Sequence, residues 1–290
     1  MKNLFSLLVV FLFLFTACEE QMVVVPEPTP PDTSRKVLIE EFTGGACSAC
    51  PQGASAIQDL VELYGKSIVA VAVHTTKVGP IGDPASGAKY NFQTDYGDQI
   101  AEYMETNGPI PAAAINRTLF PGNDLAVVPF IAWSDLVVQE LEEEPEALMG
   151  LRATYDSETN TLVVDGSVTA SQRMEGDIRV TAYITESHII DAQLNGTNLE
   201  LEYEHNHVLR TALAYTGQQT ATVEGTSITT PIATGQIVTF EFAPFEMPKD
   251  AAGNLAWRPE HCYVVTFISR YDLATGSREV LQVEEVDLIQ

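Results

Sequence analysis

The stretch from Lys36 to His74 constrains the fold more than any other part of the chain. Lys36 to Phe42 (KVLIEEF) reads as an apolar strand halted by Thr43, Gly44 and Gly45. Cys47-Ser48-Ala49-Cys50-Pro51 follows, after which Ala54, Ile57, Leu60, Val61 and Tyr64 recur at helical spacing up to Gly65. Ile68 to His74 (IVAVAVH) then reads as a second strand, apolar on both faces as a strand covered by helices should be. Strand, helix and strand in that order close as a βαβ unit with parallel strands. The unit fixes both cysteines at the start of a helix.

Residues 76–93, rich in Gly, Pro, Asp and Ser, read as an irregular insertion, followed by a helix from about Thr94 to Thr106. A short apolar strand from Ala112 to Asn116 comes after Ile110-Pro111, and a helix from Pro129 to about Glu143 closes this part. The acidic run Glu142-Glu143-Glu144 opposes the helix dipole, so fraying is expected there. Beyond residue 148 the period changes to two, as in Thr161 to Thr169, Ile178 to Ile184 and Ile237 to Phe242, with turn signals at Asp156 to Asn160 and Ala274 to Ser277. Many short strands with spaced turns imply an all-β sandwich, immunoglobulin-like in outline. Two domains are therefore expected, an α/β domain over 36–147 and the sandwich over 148–290, each of ordinary size at about 100 to 200 residues.

The amino terminus predicts export. A short basic start at Lys2, an apolar run from Leu4 to Phe15 and small residues at Thr16-Ala17 describe a signal peptide over 1–17. Phe15-Thr16-Ala17-Cys18 resembles a lipobox, which makes Cys18 the lipidated first residue of the mature chain. Acyl chains contribute about 0.8 kcal/mol per buried methylene, so a multiply acylated cysteine holds a protein on a bilayer without a spanning helix. Glu19-Glu20 resemble the acidic signal that sends lipoproteins of Bacteroidetes-type bacteria to the cell surface, the periplasmic face being the alternative. Prolines within Gln21 to Ser34 stiffen a tether over residues 18–35.

Acidic residues outnumber basic ones by 40 to 15, an excess that repels phosphate backbones and excludes nucleic acid as a partner. Outside the cytoplasm thiols are oxidised, so Cys47 and Cys50 are expected as a disulfide. Cys262 precedes the apolar run Tyr263-Val264-Val265 and reads as a buried, inert thiol. Where a helix starts, unpaired N–H groups favour thiolate, which makes Cys47 the nucleophile and Cys50 the resolving thiol of an exchange site. The alternative is a structural disulfide without turnover. Structural zinc needs two further ligands, and Cys262, His205, His207 and His261 fall in the other half. No phosphate loop, dinucleotide fingerprint or hydrolase elbow occurs, so no cofactor is expected.

From Glu41 to Pro51 the sequence resembles the thioredoxin superfamily and, more narrowly, the twenty-eight-kilodalton outer-membrane protein family of Bacteroidetes-type bacteria. Ile110-Pro111 through Asn116-Arg117 and His205-Asn206-His207-Val208-Leu209-Arg210 carry the narrower match. The resemblance implies a thioredoxin-like domain, a β-sandwich and an outer-membrane lipoprotein. It implies that Pro111 is the cis-proline facing the disulfide. It also implies that Glu41, six residues before Cys47, is the buried acid that exchanges protons with the resolving thiol. Thioredoxins carry an aromatic residue before the first cysteine, and here that residue is Ala46. The partners expected are the membrane, through Cys18, and either protein thiols or a surface ligand.

His205 and His207 stand two apart, a spacing that puts both on one face of a strand. Without a third ligand in the sequence, His205, Asn206, His207 and Arg210 are expected to make buried hydrogen bonds within the sandwich or across the interface between halves. His74 ends its strand at the sheet margin, where open α/β folds often bind ligands.

Overall fold

In the computed structural model, which describes residues 35–106, 108–123, 126–272 and 274–289, the segment around the cysteines forms β1 (Val37–Thr43), α1 (Cys50–Tyr64) and β2 (Ile68–His74). The strands pair in parallel, from Val37 opposite Ile68 to Thr43 opposite His74. Helix α2 (Asp95–Tyr103) starts at Thr94, whose hydroxyl accepts the Gly97 N–H. β3 (Ala112–Ile115) returns antiparallel to β1, and β4 (Val127–Pro129) pairs with β3. The last helix of this half, α3 (Trp133–Leu141), begins later than its periodicity suggested, because Phe130–Ala132 after β4 form a 3-10 turn that leads into it. Glu142, Glu143 and Glu144 lie beyond its end.

The remaining strands are β5 (Ala147–Asp156), β6 (Thr161–Ala170), β7 (Asp177–Glu186), β8 (Ile189–Asn195), β9 (Asn198–His205) and β10 (Val208–Ala212). They are followed by β11 (Thr226–Ser227), β12 (Ile237–Glu241), β13 (Phe245–Glu246), β14 (Cys262–Tyr271) and β15 (Val280–Asp287). One sheet runs β15-β14-β7-β10-β2-β1-β3-β4, with β11 also on β7. A second has β5 on one edge of β6 and β12 and β13 on the other. β8 and β9 form a separate two-stranded ribbon.

The described fold is thus mostly β, with few helices and a mixed principal sheet. That sheet crosses residue 147. β10 lies parallel to β2 with Val208 opposite Ala72, and the Ala72 N–H donates to the His207 carbonyl at 2.8 Å. A parallel strand with an open edge leaves its N–H and C=O groups unpaired, and β10 supplies the partner. The described residues belong to one compact unit.

Packing follows strand alternation. On one face of β1 and β2, Val37, Ile39, Ile68 and Ala70 meet Ile57 and Leu60 of α1 and Trp133 and Val137 of α3. On the other, Leu38, Phe42, Val69, Val71 and Val73 meet Tyr96, Ile100 and Met104 around α2, together with Tyr183, Val265 and Phe267. A third core joins Met149, Val164, Val168 and Phe240 of the second sheet to Ile178, Val180, Val264 and Ile268 of the first. β7 and β14 are therefore buried on both faces.

Candidate functional site: a disulfide roofed by a hairpin

Cys47 and Cys50 form a disulfide at the amino end of α1, 3% and 2% exposed. Three segments enclose it. The insertion packs so closely that a Cβ on Gly44 would fall 2.4 Å from the Gly82 Cα, and the Ala46 N–H donates to the Asp83 carbonyl. Ile110, bonded in cis to Pro111, places its carbonyl oxygen 3.8 Å from Cys47 Sγ. The tip of the β8–β9 ribbon forms the roof. The N–H groups of Leu194 and Gly196 donate to the carbonyls of Gly45 and Ser48, and Gln193 Nε2 donates to those of Gly44 and Cys47.

Glu40 and Glu41 point to opposite faces of β1, and both are buried, at 0% and 3% exposure. Glu40 is bound by Arg117 Nε and Nη2 at 2.7 and 2.8 Å and by the Tyr183 hydroxyl at 3.1 Å. Glu41 lies under α1, where a Cβ on Gly53 would sit 2.6 Å from its Oε1 and 2.8 Å from the Pro111 Cβ. Only glycine fits there. Glu41 Oε1 is buried without a hydrogen-bond partner, and burial pushes its carboxyl up to about 8.

Glu41 and Cys50 share with His74, His205 and His207 the wall of a cavity of about 710 Å³. The space exists because Ala70 and Ala72, small residues of β2, face it while the ribbon spans above. Burial pushes His74 down to about 3, with His205 contributing, and lowers His205 and His207 to about 4. At neutral pH these imidazoles are uncharged. Asp191 of β8 steadies the roof by accepting the backbone N–H groups of Lys89 and Tyr90.

The structure brings Cys47, Cys50, Glu41 and Pro111 together, and the register of β2 with β10 carries His205 and His207 to the same place. These two histidines are not on one strand. His205 ends β9, whereas His207 has a left-handed backbone with φ 57°. Asn206 Oδ1 accepts the His188 N–H at 2.9 Å and Ser187 Oγ accepts the His207 N–H at 3.0 Å, which pins the root of the ribbon. Arg210 stands away from the cavity wall, 3.5 Å from Glu186 and over the Trp257 ring. Cys262 is buried, its thiol pushed up to about 12 by desolvation. Cys18 lies outside the described residues.

Sequence reasoning missed Gln193 and the ribbon, for which Asn195-Gly196 between alternating segments was the available signal. It also left Asn116 and Arg117 without a role. Both have left-handed backbones, at φ 45° and 53°, and Asn116 Oδ1 accepts the Leu38 N–H while its Nδ2 donates to Glu140.

The family model for outer membrane protein Omp28 matches residues 97–289. The chain belongs to the Omp28 family. Outer-membrane localisation follows for this Omp28-family protein. No curated protein matches it in sequence. Among solved structures it is similar to HBP35 of Porphyromonas gingivalis, with a TM-score of 0.64 and 16% identity over 89% of this chain and 76% of that one. A structural-genomics protein of Agrobacterium tumefaciens aligns at a TM-score of 0.50 and 10% identity over 89% of this chain and 97% of the other. At such identities the likeness is one of fold.

Proposed function

We propose that this Omp28-family protein is a non-enzymatic ligand-binding lipoprotein of the outer membrane, in which the Cys47–Cys50 disulfide is a structural staple on the wall of a binding cavity. In this reading residues 36–147 are a thioredoxin-like domain used as scaffold, residues 148–290 a sandwich, and lipidated Cys18 the anchor that presents both at the cell surface. The strand order β2-β1-β3-β4, with α1 and α3 on one face and α2 on the other, supports the scaffold assignment. No described helix is long and apolar enough to cross a membrane.

One observation carries the binding role. Thiol-disulfide exchange requires a thiolate to reach a sulfur along the S–S axis. Here the ribbon and the insertion clamp the cysteine loop, Cys47 and Cys50 are 3% and 2% exposed, and a cavity with Cys50 on its wall lies beside them. A second reading, exchange chemistry, is favoured by Glu41, a buried acid of raised pKa beside Pro111. It requires the ribbon to lift.

Equilibration of the native fragment beginning after Ser34 with glutathione and dithiothreitol buffers separates the two. A staple resists reduction until the protein unfolds, or has a potential below about −300 mV. A value between about −270 and −120 mV in the folded protein would establish the exchange reading instead.

A further inference from the structure

We infer that the cavity beneath the β8–β9 ribbon takes a small organic cation bearing N–H donors, a primary ammonium or guanidinium, with the Glu41 carboxylate as its counter-ion. This deepens the binding reading above and rests on it. The wall is rich in acceptors. Glu41 Oε1 is buried with no partner. His74 Nδ1 and His205 Nε2 are likewise buried without a hydrogen-bond partner.

Glu41 is a cavity-wall residue with a buried carboxyl oxygen that has no partner, and it calls for a donor, since buried polar groups in folded proteins are almost always paired. A ligand with several N–H groups supplies what an anion or an ether cannot. Charge points the same way. Glu41, Glu204 and Glu285 line the cavity, and no described lysine or arginine does. Glu285 Oε2 is a second buried carboxylate oxygen without a partner. Tyr203, on the same wall, offers a ring face to a cation. The acidic surface of the whole chain raises the local concentration of cations around the opening.

Burial pushes the Glu41 carboxyl up to about 8 and so favours its neutral form at pH 7. A bound ammonium reverses that preference, because an opposite charge at contact distance favours the ionised carboxylate.

Three probes of the same four-carbon length test the inference in the full mature chain: 1,4-diaminobutane, 1,4-butanediol and succinate, measured by isothermal titration calorimetry at pH 7.5. An acetylated lysine methylamide runs alongside, to tell a free amine from a peptide side chain as the source of the ammonium. Saturable binding of the diamine or the lysine derivative, at least tenfold tighter than the diol or succinate, is the expected result. Glu41→Gln should lose at least tenfold in that affinity while its melting temperature is unchanged or raised. His74→Gln, which keeps an acceptor, should retain most of it. Equal or tighter binding of the diol or succinate, an unchanged affinity in Glu41→Gln, or no binding by either ammonium overturns the inference. In all three cases the binding role survives if the disulfide still resists native-state reduction; ready reduction removes that role independently.

Discussion

Glu40 and Glu41 are neighbours on one strand, equally buried, and chemically opposite. Glu40 faces the side where the two halves meet, and every donor it needs is supplied: Arg117 from the turn after β3 and Tyr183 from β7. Arg117 also stacks on Phe267, at 4.9 Å from the ring centre. Glu41 faces the cavity and has no donor for Oε1. A buried carboxylate with partners locks a structure, whereas one without stays protonated and is available to a ligand. The pleat alone separates the two roles.

Breaking the Glu40 side should have the largest effect. Arg117→Met removes the charge partner of a buried carboxylate and leaves it only the Tyr183 hydroxyl, a change that costs about 3–5 kcal/mol in comparable pairs. Urea denaturation followed by tryptophan fluorescence should register that loss. Replacing both partners, Glu40→Met with Arg117→Met, should cost clearly less than Arg117→Met alone. If the double variant is as unstable as the single one, the pair does not act as a unit.

The Glu41 side should appear as a pH dependence of opposite sign to an ordinary carboxylate. Unfolded, Glu41 releases its proton near 4.5; folded, it keeps it to about 8. Between those values the native state binds more protons than the unfolded chain, so raising the pH removes stability. Glu285, pushed to about 7, adds in the same direction below that pH. The histidines oppose them. His74, His205 and His207 stay neutral in the folded state down to about 3 to 4, against 6.5 unfolded, so stability rises with pH up to about 6.5. The expected optimum is near pH 6.5, followed by a decline of about 2 kcal/mol to pH 8 from Glu41 alone, at about 1.4 kcal/mol per unit. Glu41→Gln should flatten that alkaline limb. A limb unchanged in the variant would mean that Glu41 ionises normally in the folded protein.

What was legible in the sequence was whatever depends on near neighbours. The βαβ unit, the disulfide of Cys47 and Cys50, and the place of Glu41 on its strand follow from period and spacing over a few residues. The burial of Glu40 was not legible, since its partners come from β7 and from Arg117, whose left-handed backbone no propensity favours. Nor was the meeting of His74 with His205 and His207. That meeting rests on the parallel pairing of Ala72 with Val208, a contact between distant segments for which the apolar run of β2 carries no directional signal. The same pairing turns what alternation suggested as a self-contained strand set into part of the principal sheet.

The smallest expected effect concerns the roof that keeps the two sides unequal. The ribbon leaves the sheet at His188 and re-enters at His207, both left-handed at φ 58° and 57°, and Asn206 ties the two ends through the His188 N–H. Asn206→Ala removes one partly exposed hydrogen bond, worth about 1 kcal/mol, and leaves both cores untouched. Global stability should barely change, while the ribbon opens roughly fivefold more often if that energy is spent locally. The Leu194 and Gly196 amides, which donate to the cysteine loop, are the reporters, and their hydrogen exchange should accelerate by that factor with the amides of β7 unaffected. Faster native-state reduction of the disulfide in step with those amides would identify the ribbon as the barrier that shields Cys47. Faster amide exchange with unchanged reduction would assign the shielding to the insertion at Gly82 to Ala85, which packs on the same loop from the other side.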